Sequence, residues 1–346
     1  MPHPALHVAT QWITEAAVQH GDALPETLMQ RLQIPRRRAL ELLRKLAALQ
    51  WLHSEGPPRR RIYKPGPLRQ VVKHYPLAGL QEDLPWRLDF SPYLALPEPV
   101  QRMAQHAFTE LLNNAIDHSG GSTVTVSMRQ TPQQLQLLVS DDGCGLFDRI
   151  ARDFAIADAP AALLELSKGK LTSAPQQHSG HGLFFTARMA DVFDIHANAQ
   201  GFQRRAWDPM QWRPTRHAAR GGTSIYLAML LDTSRTLEEV LRTHSLQPQG
   251  CGFDSTVVPL HLISCRQMLA SRAEARRVSA RLPAFKRAEL DFSGVDQVGH
   301  AFADELFRVF GQAHPGLELV PTGMNMQVAQ MVRSVAACAD VGVGQT

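Results

Sequence analysis

Two periods of apolar residues alternate along the chain, one at three- and four-residue steps and one at every second residue, and together they predict a multidomain protein. Residues 5 to 20 and the segment LPETLMQRL, 24 to 32, carry the helical period, the second with Pro25 near its first turn, where a missing N–H costs little. After Ile34 and Pro35, RRRALELLRKLAALQWL puts Leu40, Leu43, Leu46, Ala47 and Leu49 on one helical side and Arg36, Arg37, Arg44 and Lys45 toward solvent. HSEGPPRRRIYKPG then has hairpin chemistry, with Gly56, Pro57 and Pro58 at the turn between Trp51-Leu52 and Ile62-Tyr63. This first module spans 1–65, and the proline-rich stretch 66–99 predicts a linker over 66–82 and the start of a new domain.

The segment FTELLNNAIDHSGG, 108 to 121, predicts a core helix whose buried face holds Ala104, Phe108, Leu111, Leu112 and Ala115. STVTVSMRQ alternates apolar and polar residues, TPQQ turns, and LQLLVSDDG returns as a second strand. Helices near 146 and after 181, with strands near 192 to 199 and at GTSIYLAML, complete an α+β unit over 83–232. A second linker is expected over 233–255. The rest, 256–340, alternates VVPLHLI, SRAEARRVSARL, AELDF, HAFADELFRVF, LELV and NMQVAQMVRSV, the pattern of a small α/β layer.

Composition narrows the function. A chain of 346 residues with 44% apolar content supports two or three domains, each with its own core. No apolar run approaches the roughly 20 residues that span a bilayer, SIYLAMLL being the longest candidate, so no membrane partner is expected. The start MPHPALHVATQW lacks a basic region before an apolar core, and Cys144, Cys251, Cys265 and Cys338 form no CxxC pair. A reduced cytoplasmic protein without structural zinc is the expectation. The net charge is only +4, yet residues 31 to 73 hold twelve basic residues against Glu41 and Glu55, a local +10. Charge so concentrated is the footprint of a nucleic-acid-binding module, with DNA as the partner.

Helix, helix, basic helix and a hairpin with arginines at its tip resemble the winged helix-turn-helix of bacterial transcription regulators. The resemblance implies that the third helix enters the major groove with Arg36, Arg37 and Arg38 first, while Arg59, Arg60 and Arg61 on the wing track phosphate. Winged helices also dock proteins, so this alternative stays open.

The polar side of the central helix is unusual. Glu110, Asn114, Asp117 and His118 fall at i, i+4, i+7 and i+8, one stripe of two carboxylates, an amide and an imidazole. DDGCG, Asp141 to Gly145, places an acid at a strand end before two glycines that let backbone approach a ligand. HSGHGLFFTARMA opens a helix with Gly180 and Gly182, and a helix start with free N–H groups suits phosphate. In this order, E-x-x-x-N-x-x-D/H, D-x-G-x-G and G-x-G resemble the N, G1 and G2 boxes of the GHKL superfamily, which includes gyrase, heat-shock chaperones, sensor histidine kinases and mismatch-repair ATPases.

That resemblance implies a Bergerat-type α+β sandwich binding ATP with Mg²⁺. Asn114 would ligate Mg²⁺, and Asp117 and His118 would stand with it at the nucleotide. Asp141 would accept from the adenine amine, and Gly143 and Gly145 would let the loop pass over the base. Gly180, His181, Gly182 and Leu183 would present N–H groups to phosphates, and Thr223 would assist Asp141. Glu110 would polarise the attacking water, as in the ATPases, although kinases of the anti-sigma type also carry a glutamate here. His181 departs from the small or acidic residue common between the two glycines, and Lys168 or Lys170 would close on the terminal phosphate. HSGH, with His178 and His181, lacks the acidic or thiol partners of a zinc site.

The third module, through SRAEARRV, LDFSGV and FADELF, resembles the STAS-like domains found beside bacterial GHKL ATPases. Their anti-sigma-antagonist relatives are switched at a serine, but Gly299 and His300 stand where the usual aspartate and serine would be, leaving Ser293 and Ser271 as other hydroxyls. A docking domain for an unknown protein partner is the reading. The whole then suggests an ATP-responsive transcription regulator. Its alternatives are an anti-sigma-type serine or histidine kinase and a stress or defence ATPase whose first module docks protein. The oligomeric state stays open, a homodimer being one option.

Overall fold

Four short helices open the chain, α1 (Pro4–Thr10), α2 (Ile13–Gln19), α3 (Leu24–Leu32) and α4 (Arg36–Ala48), followed by the antiparallel hairpin β1 (Leu52–Glu55) and β2 (Ile62–Pro65). Ala39, Leu42, Leu43 and Leu46 make the buried stripe of α4, joined by Ile13, Leu24, Leu28, Trp51 and Tyr63. The apolar face is thus turned from the one expected. Leu49, on the phase of that stripe, is the C-cap past the last helical residue Ala48 and is 49% exposed.

These elements belong to a computed structural model that describes residues 4–57, 60–156, 158–172, 180–208, 210, 212–246, 252–264 and 266–341. Two units divide the chain: Met1–Cys144, Ala190–Ile195 and Gly221–Ser234 form the first, and Gly145–Met189, His196–Arg220 and Arg235–Thr346 the second.

In the first unit the stretch 66–82, expected as a linker, contains the strand β3 (Arg69–Pro76). It pairs antiparallel along its whole length with β4 (Thr123–Gln130), from Arg69↔Gln130 to Pro76↔Thr123. The prolines misled because Pro65 and Pro67 precede the strand and Pro76 ends it, and an edge strand tolerates a missing N–H. The N-terminal helices are fastened to this strand. The Gln70 N–H donates to Thr14 Oγ1 at 3.0 Å, and the Lys73 ammonium pairs with Glu15 at 2.9 Å.

A short turn, α5 (Asp83–Pro85), leads through a π-helical stretch (Trp86–Phe90) and a 3-10 turn (Ser91–Tyr93) to α6 (Glu98–His118). The buried face of α6 holds Met103, Ala104, Ala107, Phe108, Leu111, Leu112 and Ala115, as its spacing predicts. Phe108 meets Trp86 and Phe90 with ring centroids 5.5 and 5.1 Å apart. β4 and β5 (Gln134–Asp141) bury alternate residues, Val124, Val126 and Met128 with Leu135, Leu137 and Val139.

The second unit carries α7 (Leu146–Phe154), α8 (Ala159–Lys168) and α9 (Gly182–Met189). The sheet of the first unit continues into β6 (Val192–Arg205) and β7 (Trp212–Leu230), each of which has residues in both units, and its five strands have the order β3-β4-β5-β7-β6. The second expected linker, 233–255, contains α10 (Leu237–Arg242), started by a Thr236–Glu239 capping box, and the buried Phe253.

The C-terminal layer begins at β8 (Ser255–Pro259), which ends sooner than VVPLHLI suggests because Leu260–Leu262 form a 3-10 turn. There follow β9 (Met268–Leu269), α11 (Arg272–Ser279), β10 (Arg287–Asp291) and β11 (Gln297–Val298). The chain then forms α12 (His300–Ala303), which continues as a π-helix (Asp304–Phe310), and α13 (Gly311–Ala313). β12 (Glu318–Thr322) and α14 (Met326–Val341) complete it. β12, β10 and β8 form a parallel sheet in that order, the α/β layer the alternation predicts. Among the described residues no helix is long and apolar enough to cross a membrane.

Candidate functional site

In the first unit the end of α6 and the loop after β5 are locked together. The Cys144 N–H donates to the Ser119 carbonyl at 2.9 Å, and the Ser119 hydroxyl donates to the Ala115 carbonyl while accepting from the Gly121 N–H. A Cβ on Gly143 would collide with the Ser119 carbonyl oxygen, so a side chain there would push the loop off the helix end. Asp142 fastens the same corner from outside. Its carboxylate accepts from the hydroxyls and N–H groups of Ser122 and Thr123 at 2.6 to 2.9 Å, which hold it well below the usual carboxylate range, the Ser122 hydroxyl most of all.

Asp141 ends β5 at this corner. Its Oδ1 accepts from the Gly143 N–H at 2.9 Å and the Thr223 N–H at 3.1 Å, while Oδ2 has no hydrogen bond to another described residue. Burial pushes the Asp141 carboxyl up, opposed by those two N–H donors. Thr223 therefore meets Asp141 through its backbone, and Gly222 makes this contact possible. Its φ is +79°, and a Cβ would strike the Asp141 carbonyl oxygen. Gly222 was missed from the sequence, although the doubled glycine before Thr223 signals a close approach. One layer deeper, the Ser140 and Ser224 hydroxyls are 2.6 Å apart across the β5–β7 pair.

On α6 Glu110, Asn114 and His118 are half-buried and Asp117 is exposed, so the polar stripe faces outward from the core as the spacing requires. Glu110, Asp117 and His118 each have a partner in the protein. The stripe extends one turn earlier than the sequence reading took it. His106, four residues before Glu110, holds a buried Nε2 that has no hydrogen-bond partner among the described residues, and burial lowers its basicity. The i−4 spacing was the available signal.

In the second unit Gly145 opens α7 with φ +88°, and a Cβ there would collide with the Asn198 side chain, whose amide donates to Asp148 at 2.8 Å. Gly180, φ +67°, accepts on its carbonyl from the Lys170 N–H at 3.0 Å, and the His181 carbonyl accepts from Phe185 as α9 begins at Gly182 and Leu183. The His181 ring meets the Phe253 ring with centroids 4.7 Å apart, and its basicity is lowered first by burial and then by the Lys170 charge.

The two lysines expected to close on a phosphate are engaged elsewhere. Lys168 is 1% exposed and its ammonium donates to Glu165 at 2.5 Å, to the Ala280 carbonyl at 2.8 Å and to the Arg277 carbonyl at 3.3 Å. Lys170 donates to the Ala284 carbonyl at 2.7 Å and lies 4.4 Å from the Phe285 ring centroid. Glu165 is a local partner, three residues before Lys168, but the Ala280 and Ala284 carbonyls lie more than a hundred residues further along the chain and no local pattern shows them.

At the N-terminal module Arg36, Arg37, Arg38, Arg60 and Arg61 are exposed, and Arg59 lies outside the described residues, as does His178. Arg36 pairs with Glu26 at 2.6 Å and Arg37 with Glu41 at 3.3 Å, both at the surface. In the C-terminal layer the Ser271 hydroxyl is the N-cap of α11 and bonds Glu274 in a capping box. Gly299 stands where a Cβ would come within 3.0 Å of the Ala270 Cα, so its small size serves packing at the start of α12.

The donor set suits a nucleotide. A carboxylate with one oxygen fixed by backbone and the other unengaged can take an exocyclic amine. Asn114, whose amide has no partner among the described residues, is a neutral oxygen donor of the kind Mg²⁺ accepts beside phosphates. Among the described residues no group of three or more His, Cys, Asp or Glu could hold a metal ion by itself. Residues 94–205 match a family model described as a histidine kinase-like ATPase domain, and residues 274–329 match one described as a STAS-like domain of unknown function. No curated protein matches the chain. The chain thus carries a GHKL-type ATPase domain and a C-terminal STAS-like domain.

Proposed function

We propose that this protein binds ATP with Mg²⁺ in its ATPase domain and couples nucleotide state to the STAS-like domain as a regulatory signal. The observation that carries the reading is Asp141, half-buried at a strand end with Oδ1 pinned by Gly143 and Thr223 and Oδ2 left for a donor. In this reading Asp141 accepts from the adenine amine, Gly143 and Gly145 shape the loop, and Asn114 offers its amide oxygen to the metal, with Asp117 and His118 on the same stripe. Gly180, His181, Gly182 and Leu183 offer N–H groups to phosphate. Bound ATP and Mg²⁺ supply a polarised terminal phosphate, and Glu110 accepts a proton from the attacking group on a side-chain oxygen.

Calorimetric titration of ATP tests it. Asp141→Asn replaces a charged acceptor and should weaken ATP by about 1.5–3 kcal/mol, as for hydrogen bonds to charged groups. Unchanged affinity removes the adenine role.

The histidine kinase-like match beside a STAS-like domain favours phosphoryl transfer to a partner protein over plain hydrolysis as the output. In that case a serine or histidine of the partner gains the phosphoryl group and ADP leaves. Labelled phosphate appearing on a protein supports transfer, and free phosphate alone supports an ATPase. A second output rests on the exposed arginines at the start of α4 and beside the hairpin, which we read as a winged helix that binds DNA. Binding of the full chain to DNA would then weaken with salt, with a log–log slope of about −0.9 per phosphate contact. A salt titration showing no binding above a neutral control domain assigns the module to protein docking.

A further inference from the structure

Resting on the nucleotide reading, we propose that Thr256 and Arg281, both in the C-terminal layer, are positioning residues for the phosphate-binding stretch Gly180–Leu183. A continuous run of bonds inside the second unit carries this. The Thr256 hydroxyl, buried at the start of β8, donates to the Lys168 carbonyl at 2.7 Å, and the Arg281 guanidinium donates to the Lys170 carbonyl. Arg281 also lies 3.8 Å from Glu165, the partner of Lys168. Lys168 and Lys170 return the contact through their ammonium groups to the carbonyls of Arg277, Ala280 and Ala284. The Lys170 N–H then holds the Gly180 carbonyl, one residue before His181, and the His181 ring rests on Phe253.

The backbone between these anchors needs outside support. Gly169 and Lys170 have φ of +77° and +59°, a left-handed pair that costs a non-glycine residue energy and persists only when its surroundings hold it. A Cβ on Gly169 would reach to 2.5 Å from the Phe253 ring, so the turn is pressed onto the residue that also receives His181. The C-terminal layer thereby sets where Gly180 starts, and Gly180 sets where the N–H groups of α9 begin. A partner that shifts Thr256 or Arg281 would be felt by phosphate and not by adenine, whose proposed acceptor is Asp141.

The test uses the full chain and the variants Thr256→Val, Thr256→Ser and Arg281→Ala, titrated with ATP and with adenosine. ATP should weaken about fivefold or more in Thr256→Val and Arg281→Ala, the low end of ordinary site-to-site coupling, while adenosine keeps its affinity and Thr256→Ser behaves as the parent. ATP affinity within about twofold of the parent in both variants overturns the proposal, and so does a parallel loss of adenosine, which signals general damage. Hydrogen exchange of residues 159–170 without nucleotide separates the two layers of the argument. If the parent binds no ATP, the nucleotide reading fails. The anchor still stands if exchange rises in both variants and falls if it does not.

Discussion

Breaking the Lys168–Glu165 pair should cost far more than an ion pair at the surface, and replacing both members should cost little. The two side chains are 1% and 7% exposed with 2.5 Å between charged atoms. At an effective dielectric of 20 that separation gives a gross attraction of about 6–7 kcal/mol. Desolvating two ions costs several kcal/mol each, so the net worth of the pair against apolar residues is near zero or unfavourable. Removing one partner keeps the other's desolvation cost and loses the attraction. Lys168→Met leaves Glu165 with Arg281 as its basic neighbour among the described residues, and Glu165→Gln leaves the ammonium on the carbonyls of Arg277 and Ala280. Each single variant should lose about 3–5 kcal/mol, and Lys168→Met/Glu165→Leu should return to within about 1 kcal/mol of the parent. Urea denaturation of the full chain, followed by probes in α8 and in the C-terminal layer, gives the double-mutant cycle. Single variants within about 1 kcal/mol of the parent, the range of exposed pairs, or additive losses in the double variant, refute the reasoning.

Two further outcomes follow from the same geometry. Glu110→Gln keeps size and hydrogen bonding but removes the base, so ATP should still bind while turnover or transfer falls by roughly 10²–10⁴; equal rates in the two proteins would dismiss Glu110 as a base. His244, 7% exposed, is pushed down from 6.5 to about 3, first by burial and then by the Arg188 charge. The fold keeps this imidazole neutral while the unfolded chain protonates it near 6.5, so its contribution is intact above that pH and falls as pH drops toward 3. The slope is about 1.4 kcal/mol per unit, giving a loss near 1.4 kcal/mol at pH 5.5 that His244→Phe should abolish in urea midpoints.

The polar stripe of α6, the Asp141 loop and the alternation of β4 and β5 were legible because helix and strand periods are local properties of the chain. The doubled role of the prolines around β3 was not, since Pro67 before an edge strand and Pro76 at its end look the same in sequence as a linker. Nor were Lys168 and Lys170. A lysine in a polar loop reads as a solvated charge or a phosphate ligand, and only the fold brings Ala280 and Ala284 to them. Leu49 shows the smaller error: an apolar letter on the right face counts for nothing beyond the last helical turn. His181, an oddity between two glycines, acquires a physical account once Phe253 is placed beside it.

The pairing of β3 with β4 bears on how such a protein can be rearranged. Because Thr14 and Glu15 hold β3 from one side and β4 holds it along its length from the other, the N-terminal helices are not a cassette that can be traded at residue 65. A chain cut there would begin with a strand stripped of its Thr14 and Glu15 partners. A chain cut at residue 82 would bare β4, still paired with β5, as a new edge eight residues long whose outward N–H and C=O groups are open to pairing with another molecule. Recombination that swaps the N-terminal helices of this protein therefore has to carry the edge strand with them, and β3 is inherited with the helices it fastens, whatever those helices bind.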